Sequence, residues 1–386
     1  MRIGIFTDTY KPQVNGVVTS ICLMEFKLKE NGHQPYIFTV THPDVNPEKE
    51  PSNVFRIGSV KFWGNTEYRI AKIYSQTIIN KVRELQIELI HSHDPFSLGI
   101  MGHIIAKRLK IPEVHTYHTM LTDYTHYVKF GSLLPKEAAE NYSRVFCNQV
   151  DAVIVPTQKV YTALLNYGVK RPIYIIPTGI DLPQFYQTIP PKILQSFKTK
   201  LGFSHQDRVL IFVGRLAKEK GLETLITYQK KLQELNPFYK LLIVGAGKYL
   251  SELKELISRL SLENNIMFSG KIHYEDLPIF YQLADCFVTA STSETQGLVV
   301  LEAAASKKPI VAILDESYFD IVIHNQNGFY YHTETEYLSA VERIMNDEQL
   351  RLKMGARSRE IAESFSADSF YKKIISVYKK TLKNKN

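Results

Sequence analysis

Val209-Leu-Ile-Phe-Val-Gly-Arg-Leu-Ala-Lys-Glu-Lys-Gly221 begins as an unbroken apolar run, turns at a glycine and then gathers cations. A short run of this kind, apolar at every position, reads as a strand buried on both faces and therefore as part of a parallel sheet. Its carboxyl end carries Gly214, Arg215, Lys218, Lys220 and Gly221. Cations and glycines suit a diphosphate, and the carboxyl ends of the strands are where open α/β sheets bind ligands.

Downstream, Ser293-Glu-Thr-Gln-Gly-Leu-Val-Val-Leu-Glu302 passes from a polar loop through a glycine into an apolar run that reads as a helix start. The N–H groups of Gly297, Leu298 and Val299 then have no partner within the helix, and such a terminus attracts anions, phosphate above all. Glu294 and Glu302 flank it and are placed to accept hydrogen bonds from sugar hydroxyls. Taken alone, Glu294 is as readily a solvated loop acid and Glu302 a surface position on a helix. Next to the cation-bearing strand end, the segment reads as a grip on a diphosphate with a sugar on either side.

The alternation around these segments sets the architecture. Residues 3–7, 36–40, 89–92, 114–118, 152–155 and 174–176 read as short buried strands, with helical stretches between most of them. Residues 209–213, 240–244, 266–268, 286–289 and 309–312 repeat the pattern. This alternation implies an α/β protein with two doubly wound parallel sheets covered by helices. Pro177-Thr-Gly-Ile-Asp-Leu-Pro183 and Pro190-Pro191 form the best linker. The expected division is 1–185, 186–365 and a terminal helical segment 366–386.

Other residues have both a functional and a structural reading. Asp8, Tyr10 and Gly16 follow the first strand, and Asn15-Gly16 suits a tight turn that brings backbone close to a ligand. The bland alternative is a plain turn. His118 ends a strand, where it is either a ligand-facing side chain or a core histidine satisfied by backbone. His91, His93 and Asp94 resemble metal ligands, since alternate strand residues share a face. No further ligand is evident beside them and no Asp-X-Asp occurs in the chain, so a lining or structural role is expected and no metal. Val244-Gly-Ala-Gly-Lys-Tyr lacks both the third glycine of a dinucleotide fingerprint and the Lys-Ser/Thr ending of a P-loop. It reads as a strand–helix turn.

Gly214–Gly221, with Glu294 and Glu302 after it, resembles the retaining GT-B glycosyltransferases of family GT4. So do Thr7-Asp-Thr-Tyr-Lys-Pro-Gln-Val-Asn-Gly-Val-Val18, Thr116-Tyr-His-Thr-Met120 and Ile176-Pro-Thr-Gly-Ile-Asp181. Within the family, the opening segment and His118-Thr-Met-Leu-Thr-Asp-Tyr-Thr-His-Tyr127 are most similar to bacterial 1,2-diacylglycerol 3-glucosyltransferases. The resemblance implies two Rossmann-like domains facing a central cleft, with the last helix crossing back to the first domain. It implies UDP-glucose as donor substrate, diacylglycerol as acceptor and no tightly bound cofactor. Arg215 and Lys220 are implied to stabilise the departing diphosphate, Glu294 to hold the hexose and Glu302 the ribose. The Gly16 loop is implied to meet the donor phosphates, Lys271 in Ser269-Gly-Lys-Ile272 to lie where uracil is read, and His118 to lie near the reaction centre. Asp8, Tyr10, His118, Tyr124 and Tyr127 are implied on the acceptor side.

Composition narrows the setting. A chain of 386 residues that is 44% hydrophobic can bury two cores. No apolar stretch is long enough to span a bilayer, and Met1-Arg-Ile-Gly-Ile-Phe reads as a first strand rather than a signal peptide. Cys22, Cys147 and Cys286 are scattered and odd in number, as expected of reduced thiols in a cytoplasm. The net charge of +8 is uneven: residues 1–180 hold 20 basic against 15 acidic side chains, and residues 365–386 hold six Lys and one Asp. Basicity of this kind serves an anionic membrane surface, nucleic acid or solubility alone. Tyr117, Met120, Leu121, Tyr124, Tyr127 and Phe130 crowd Lys129 and suit either a lipid acceptor or internal packing. Phe62-Trp63-Gly64 and residues 68–85 are further candidates for membrane contact. The expected location is cytoplasmic, peripheral at the inner face of the cell membrane. The rival readings are transfer to a glycosylated diacylglycerol or a phosphoinositide, a sugar-nucleotide sensor without turnover, and a basic nucleic-acid-binding protein. The last lacks any recognisable module, so no nucleic-acid partner is expected.

Overall fold

A computed structural model describes residues 1–61, 69–122 and 135–384. Two compact units divide the chain: Met1–Gly179 together with Ala367–Asn386, and Ile180–Ser366. The division precedes the expected 185/186 boundary because Ile180, Leu182 and Phe185 are buried in the apolar core of the second unit. Pro191, expected in a linker, is instead the first residue of a helix, Pro191–Lys200. Its missing N–H costs nothing there, since the first helical N–H has no intrahelical partner.

The first unit holds β1 (Arg2–Phe6), β2 (Gln34–Val40), β3 (Val54–Ile57), β4 (Ser59–Lys61), β5 (Arg69–Ala71), β6 (Leu89–Ser92), β7 (Glu113–Thr116), β8 (Ala152–Val155) and β9 (Ile173–Ile175). Seven of these form one sheet in the order β3-β2-β1-β6-β7-β8-β9, every neighbouring pair parallel. β4 and β5 pair separately and antiparallel. Strand alternation sends Ile3 and Ile5 into one core layer and Phe6 into the other, where Phe6 stacks on Phe38 with ring centroids 4.5 Å apart. The edge strand β3 escaped the sequence reading because Arg56 interrupts a run of only four residues. β7 stops at Thr116, so His118 lies beyond the strand rather than ending it.

The terminal helix, Ala367–Lys383, belongs to the first unit. Phe370, Ile374, Ile375, Val377 and Tyr378 are buried in the same core layer as Ile21, Met24 and Leu28 of the helix Gly16–Glu30. At the edge of this packing Lys27 pairs with Asp368.

The second unit holds β10 (Arg208–Val213), β11 (Tyr239–Val244), β12 (Ile266–Gly270), β13 (Cys286–Thr289), β14 (Ile310–Ile313) and β15 (Gly328–Tyr331), in the order β12-β11-β10-β13-β14-β15 and parallel throughout. β15 was not anticipated because its first residue is a glycine, usually a turn signal. Here glycine is required by packing: a Cβ on Gly328 would lie 2.0 Å from the carbonyl oxygen of Ile310.

Ile374 is 1% exposed at the centre of the terminal-helix contact. Ile374→Ala is expected to cost about 2–5 kcal/mol through lost burial and a residual cavity, read from denaturant unfolding followed by a probe in the first unit. A shift below about 1 kcal/mol would show that the helix contributes little to that unit's stability.

Candidate active site

Each parallel sheet is wound outward from its first strand in both directions, so the loops leaving that strand and its later neighbour part company. This topological switch point is where doubly wound sheets hold ligands. In the second unit it lies between the carboxyl ends of β10 and β13.

The loop after β10 is fixed first by backbone. Gly214 N–H donates to Val244 O at 2.9 Å and Leu216 N–H to Ala246 O at 3.0 Å. Gly245 N–H donates to Gly270 O at 3.0 Å, tying in β12. Gly245 has φ +142°, and a Cβ there would lie 1.9 Å from Gly214 O. The Gly245-Ala-Gly247 turn therefore lets two loops touch. Gly221 does the same on the other side: at φ +66°, a Cβ would approach Ala290 O to 2.4 Å, so the loops after β10 and β13 meet there.

Charge gathers where they meet. Lys220 Nζ donates to Glu294 Oε1 at 2.5 Å, and Ser291 Oγ donates to the same oxygen at 3.2 Å. Arg215 donates to Glu219 Oε1 at 2.7 Å. Arg215 and Lys220, the cations expected to meet the diphosphate, thus each have a carboxylate partner. Gly297, at φ +73°, is the N-cap of the helix Leu298–Ala305 and has no side chain with which to cap it. A Cβ on Gly297 would meet the Tyr318 ring at 2.6 Å, and Tyr318 holds the loop from beneath by donating to Ser291 O at 2.8 Å. The structure thus brings Lys220, Glu294, Gly297, Leu298 and Val299 onto adjoining segments.

Glu302 lies on the same helix but is only 5% exposed, which corrects the surface alternative. Its Oε2 accepts from Tyr281 Oη–H at 2.8 Å, and burial pushes its carboxyl up to about 7. Sequence reasoning missed Tyr281 and Ser291, since a tyrosine and a serine carry no pattern that marks them as partners. Lys271 is exposed at the carboxyl end of β12, the edge strand.

The switch point of the first unit lies between β1 and β6 and is built from buried acids and histidines. Asp8 accepts from Ser97 Oγ and from Leu98 N–H, the latter at 3.0 and 3.2 Å to its two oxygens. Asp94 accepts from Thr7 Oγ1 at 3.2 Å and Thr9 Oγ1 at 3.4 Å. Burial, and then the Asp94 carboxylate, raises Asp8 to about 7; burial raises Asp94 to about 6. Gly16 is exposed as the first residue of its helix, whose Asn15 cap accepts from Val18 N–H at 2.9 Å. Tyr10, expected on the acceptor side, instead packs in the core with its hydroxyl donating to Glu25 Oε2 at 2.6 Å. That hydrogen bond explains its inward turn.

His118 Nε2 lies 2.9 Å from His93 Nδ1, and burial lowers the His118 imidazole to about 4. His91 is a structural residue, its ring nitrogens engaged by Tyr378 Oη at 2.6 Å and Thr116 Oγ1 at 2.7 Å. Among the described residues no group of three or more His, Cys, Asp or Glu is arranged to hold a metal ion. Also among them, no helix is long and apolar enough to cross a membrane. Tyr124 and Tyr127 lie outside the described residues, as do Phe62, Trp63, Gly64, Lys129 and Phe130.

Two parallel sheets of this winding, the second with a cation-bearing switch point, are the two halves of a GT-B glycosyltransferase fold, a class that the sequence relatives identify. A family model described as glycosyl transferases group 1 matches residues 195–361, and one described as glycosyltransferase family 4 matches residues 14–184. An alpha-monoglucosyldiacylglycerol synthase of Streptococcus pneumoniae is 37% identical over 343 residues, covering 88% of this chain and 77% of that protein. One of Acholeplasma laidlawii is 31% identical over 379 residues, covering 97% and 95%. The chain belongs to the family 4 glycosyltransferases. Among solved structures, Anabaena HepE in complex with UDP-glucose shares the fold with TM-score 0.80 at 20% identity, over 98% of this chain and 100% of that one.

The raised Glu302 carboxyl has a consequence for stability. The native protein keeps a proton that an unfolded glutamate, at 4.5, has already released, so stability falls as pH rises from about 4.5 to about 7. Glu302→Gln is expected to flatten that decline by up to about 3 kcal/mol, seen as the difference between wild-type and variant unfolding free energies across this window. Parallel profiles would place the Glu302 carboxyl near its ordinary value.

Proposed function

We propose that the protein is a retaining glucosyltransferase that moves glucose from UDP-glucose to the free hydroxyl of 1,2-diacylglycerol, giving alpha-monoglucosyldiacylglycerol. The observation that carries this reading is the similarity, across most of the chain, to two proteins described as synthases of that glycolipid. The Anabaena structures that share the fold contain UDP or UDP-glucose, which supports the donor class.

The residues divide the work by charge. As the C1–O bond to the diphosphate breaks and the bond to the acceptor oxygen forms, negative charge grows on the leaving phosphate. Arg215 and Lys220 are the cations set to stabilise it, aided by the N–H groups at the start of the helix beginning at Leu298. A diphosphate competes with Glu294 for Lys220. Once displaced, Glu294 accepts from a glucose hydroxyl, while Glu302, steadied by Tyr281, takes the ribose. The acceptor proton passes to the departing phosphate oxygen. Gly16 and Lys271 serve the donor, and Asp8, His118, Tyr124 and Tyr127 serve the acceptor side.

The acceptor resides in a bilayer, and we place the enzyme peripherally on an anionic membrane surface at the inner face of the cell membrane. Support comes from the basic excess of residues 1–180 and from exposed apolar side chains on the first unit. On the β4–β5 pair, Val60 and Ile70 face each other, 69% and 44% exposed, beside the Lys61–Arg69 pair.

Liposomes containing diacylglycerol and anionic lipid, offered labelled UDP-glucose, UDP-galactose and GDP-mannose, test the assignment. The expected product is an α-linked monoglucosyl lipid from UDP-glucose alone. Transfer only to water-soluble acceptors would overturn the lipid assignment. In the same assay, Arg215→Ala and Lys220→Ala are each expected to lower kcat about a hundredfold or more, the usual cost of a transition-state charge contact. Near-wild-type turnover in the folded double variant would remove both from the mechanism.

A further inference from the structure

Tyr281 stands on the short helix Leu277–Leu283 and is 0% exposed, its ring edge-on to Phe185 and tilted against Phe287 at centroid distances of 6.0 and 6.4 Å. Close packing on these sides holds the ring, so its hydroxyl is a fixed point. That hydroxyl faces the helix Leu298–Ala305 and has two acceptors within reach, Glu302 Oε2 at 2.8 Å and Val299 O at 3.2 Å. It has one proton to give. The nearer acceptor takes it, because a carboxylate is the stronger partner, whereas a helical carbonyl already accepts from the N–H four residues on.

The surroundings of this bond are apolar. Phe287, Val300, Leu301 and Ala303 belong with Tyr281 to one core layer, and each is 0% exposed. A carboxylate oxygen turned towards such a layer needs a donor, since an unpaired buried charge is costly. Tyr281 is that donor. Its hydrogen bond favours the ionised carboxylate and so works against burial, which raises the group. Ionisation matters for sugar binding. A carboxylate only accepts, and its two oxygens offer about four lone-pair sites, so a bond to Tyr281 leaves capacity for ribose hydroxyls.

We infer that Tyr281 is a positioning residue that gives the donor site its preference for ribonucleotides over deoxyribonucleotides: by holding one oxygen of Glu302 it turns the carboxylate to accept from the ribose hydroxyls. The same hydroxyl lies 3.2 Å from Val299 O, so one side chain sets both the carboxylate that meets the ribose and the helix start that meets the diphosphate. This role of Tyr281 rests on the ribose contact given to Glu302 under the proposed function, and it names the residue on which that contact depends. Phenylalanine at this position keeps the ring and removes only the hydroxyl.

Calorimetric titration of the full chain with UDP and with 2′,3′-dideoxy-UDP, which lacks both ribose hydroxyls, reads the effect directly. The wild-type protein is expected to bind UDP about tenfold or more tightly than the dideoxy compound. Tyr281→Phe is expected to lose about tenfold in UDP affinity, the low end for a hydrogen bond to a charged group, while its affinity for dideoxy-UDP stays within about twofold. Glu302→Ala is expected to show the same pattern. The double variant is expected to bind UDP no more weakly than Glu302→Ala alone, since the two residues act through one contact. In transfer assays Tyr281→Phe is expected to raise KM for UDP-glucose about tenfold with kcat little changed, because the ribose is held alike in ground and transition states. Equal losses for both ligands in Tyr281→Phe would make the tyrosine a purely structural residue and overturn the inference. So would additive losses in the double variant, or unchanged UDP affinity in Tyr281→Phe beside a ribose-dependent loss in Glu302→Ala. If wild type and Glu302→Ala bind both compounds equally well, the ribose contact of Glu302 falls, and the role of Tyr281 falls with it.

Discussion

A parallel sheet wound in both directions from its first strand leaves one place where consecutive loops diverge, and everything chemical in this chain depends on that constraint. In the second unit the reversal falls at β10, so the loop with Arg215 and Lys220 and the loop with Glu294 leave adjacent strands before their connections diverge. Glycines then let the backbones touch. Gly221 against Ala290 and Gly245 against Gly214 are contacts that no residue with a Cβ permits. The Lys220–Glu294 ion pair is a consequence of this geometry.

Electrostatic stress is distributed differently in the two units. At its switch point the second unit pairs Arg215 with Glu219 and Lys220 with Glu294, so neither cation stands as a bare charge. The first unit concentrates groups whose ionised forms are disfavoured: Asp8 and Asp94 are raised, and the four histidines at positions 91, 93, 115 and 118 are lowered, all chiefly by burial. Such a neutral, polar interior suits a hydroxyl acceptor, whereas the cations of the second unit suit a diphosphate.

Much of this was legible in the sequence because it is carried by local pattern. Continuous apolar runs marked β1, β8, β10, β11 and β13, and Gly297 before an apolar stretch marked a helix start. Tertiary effects were not legible. Gly328 reads as a turn until the Ile310 carbonyl is seen beside it, and Tyr10 reads as a loop tyrosine until Glu25 accepts its hydroxyl proton. Glu294 and Lys220 were each singled out, but a bond across 74 positions leaves no spacing signal that would show them as partners. His93 reads as a lining or structural residue, but its contact with His118 was not legible because it depends on the register of β6 with β7.

The central claim is that the β10–β13 switch point is the diphosphate site and that its resting ion pair gives way to the donor. A crystal structure of the full chain with UDP tests this most directly. The account predicts the diphosphate within hydrogen-bond reach of Arg215, Lys220 and the N–H groups at the start of the Leu298–Ala305 helix, with Lys220 no longer bonded to Glu294. UDP bound elsewhere, or bound there with the Lys220–Glu294 contact intact, would contradict it.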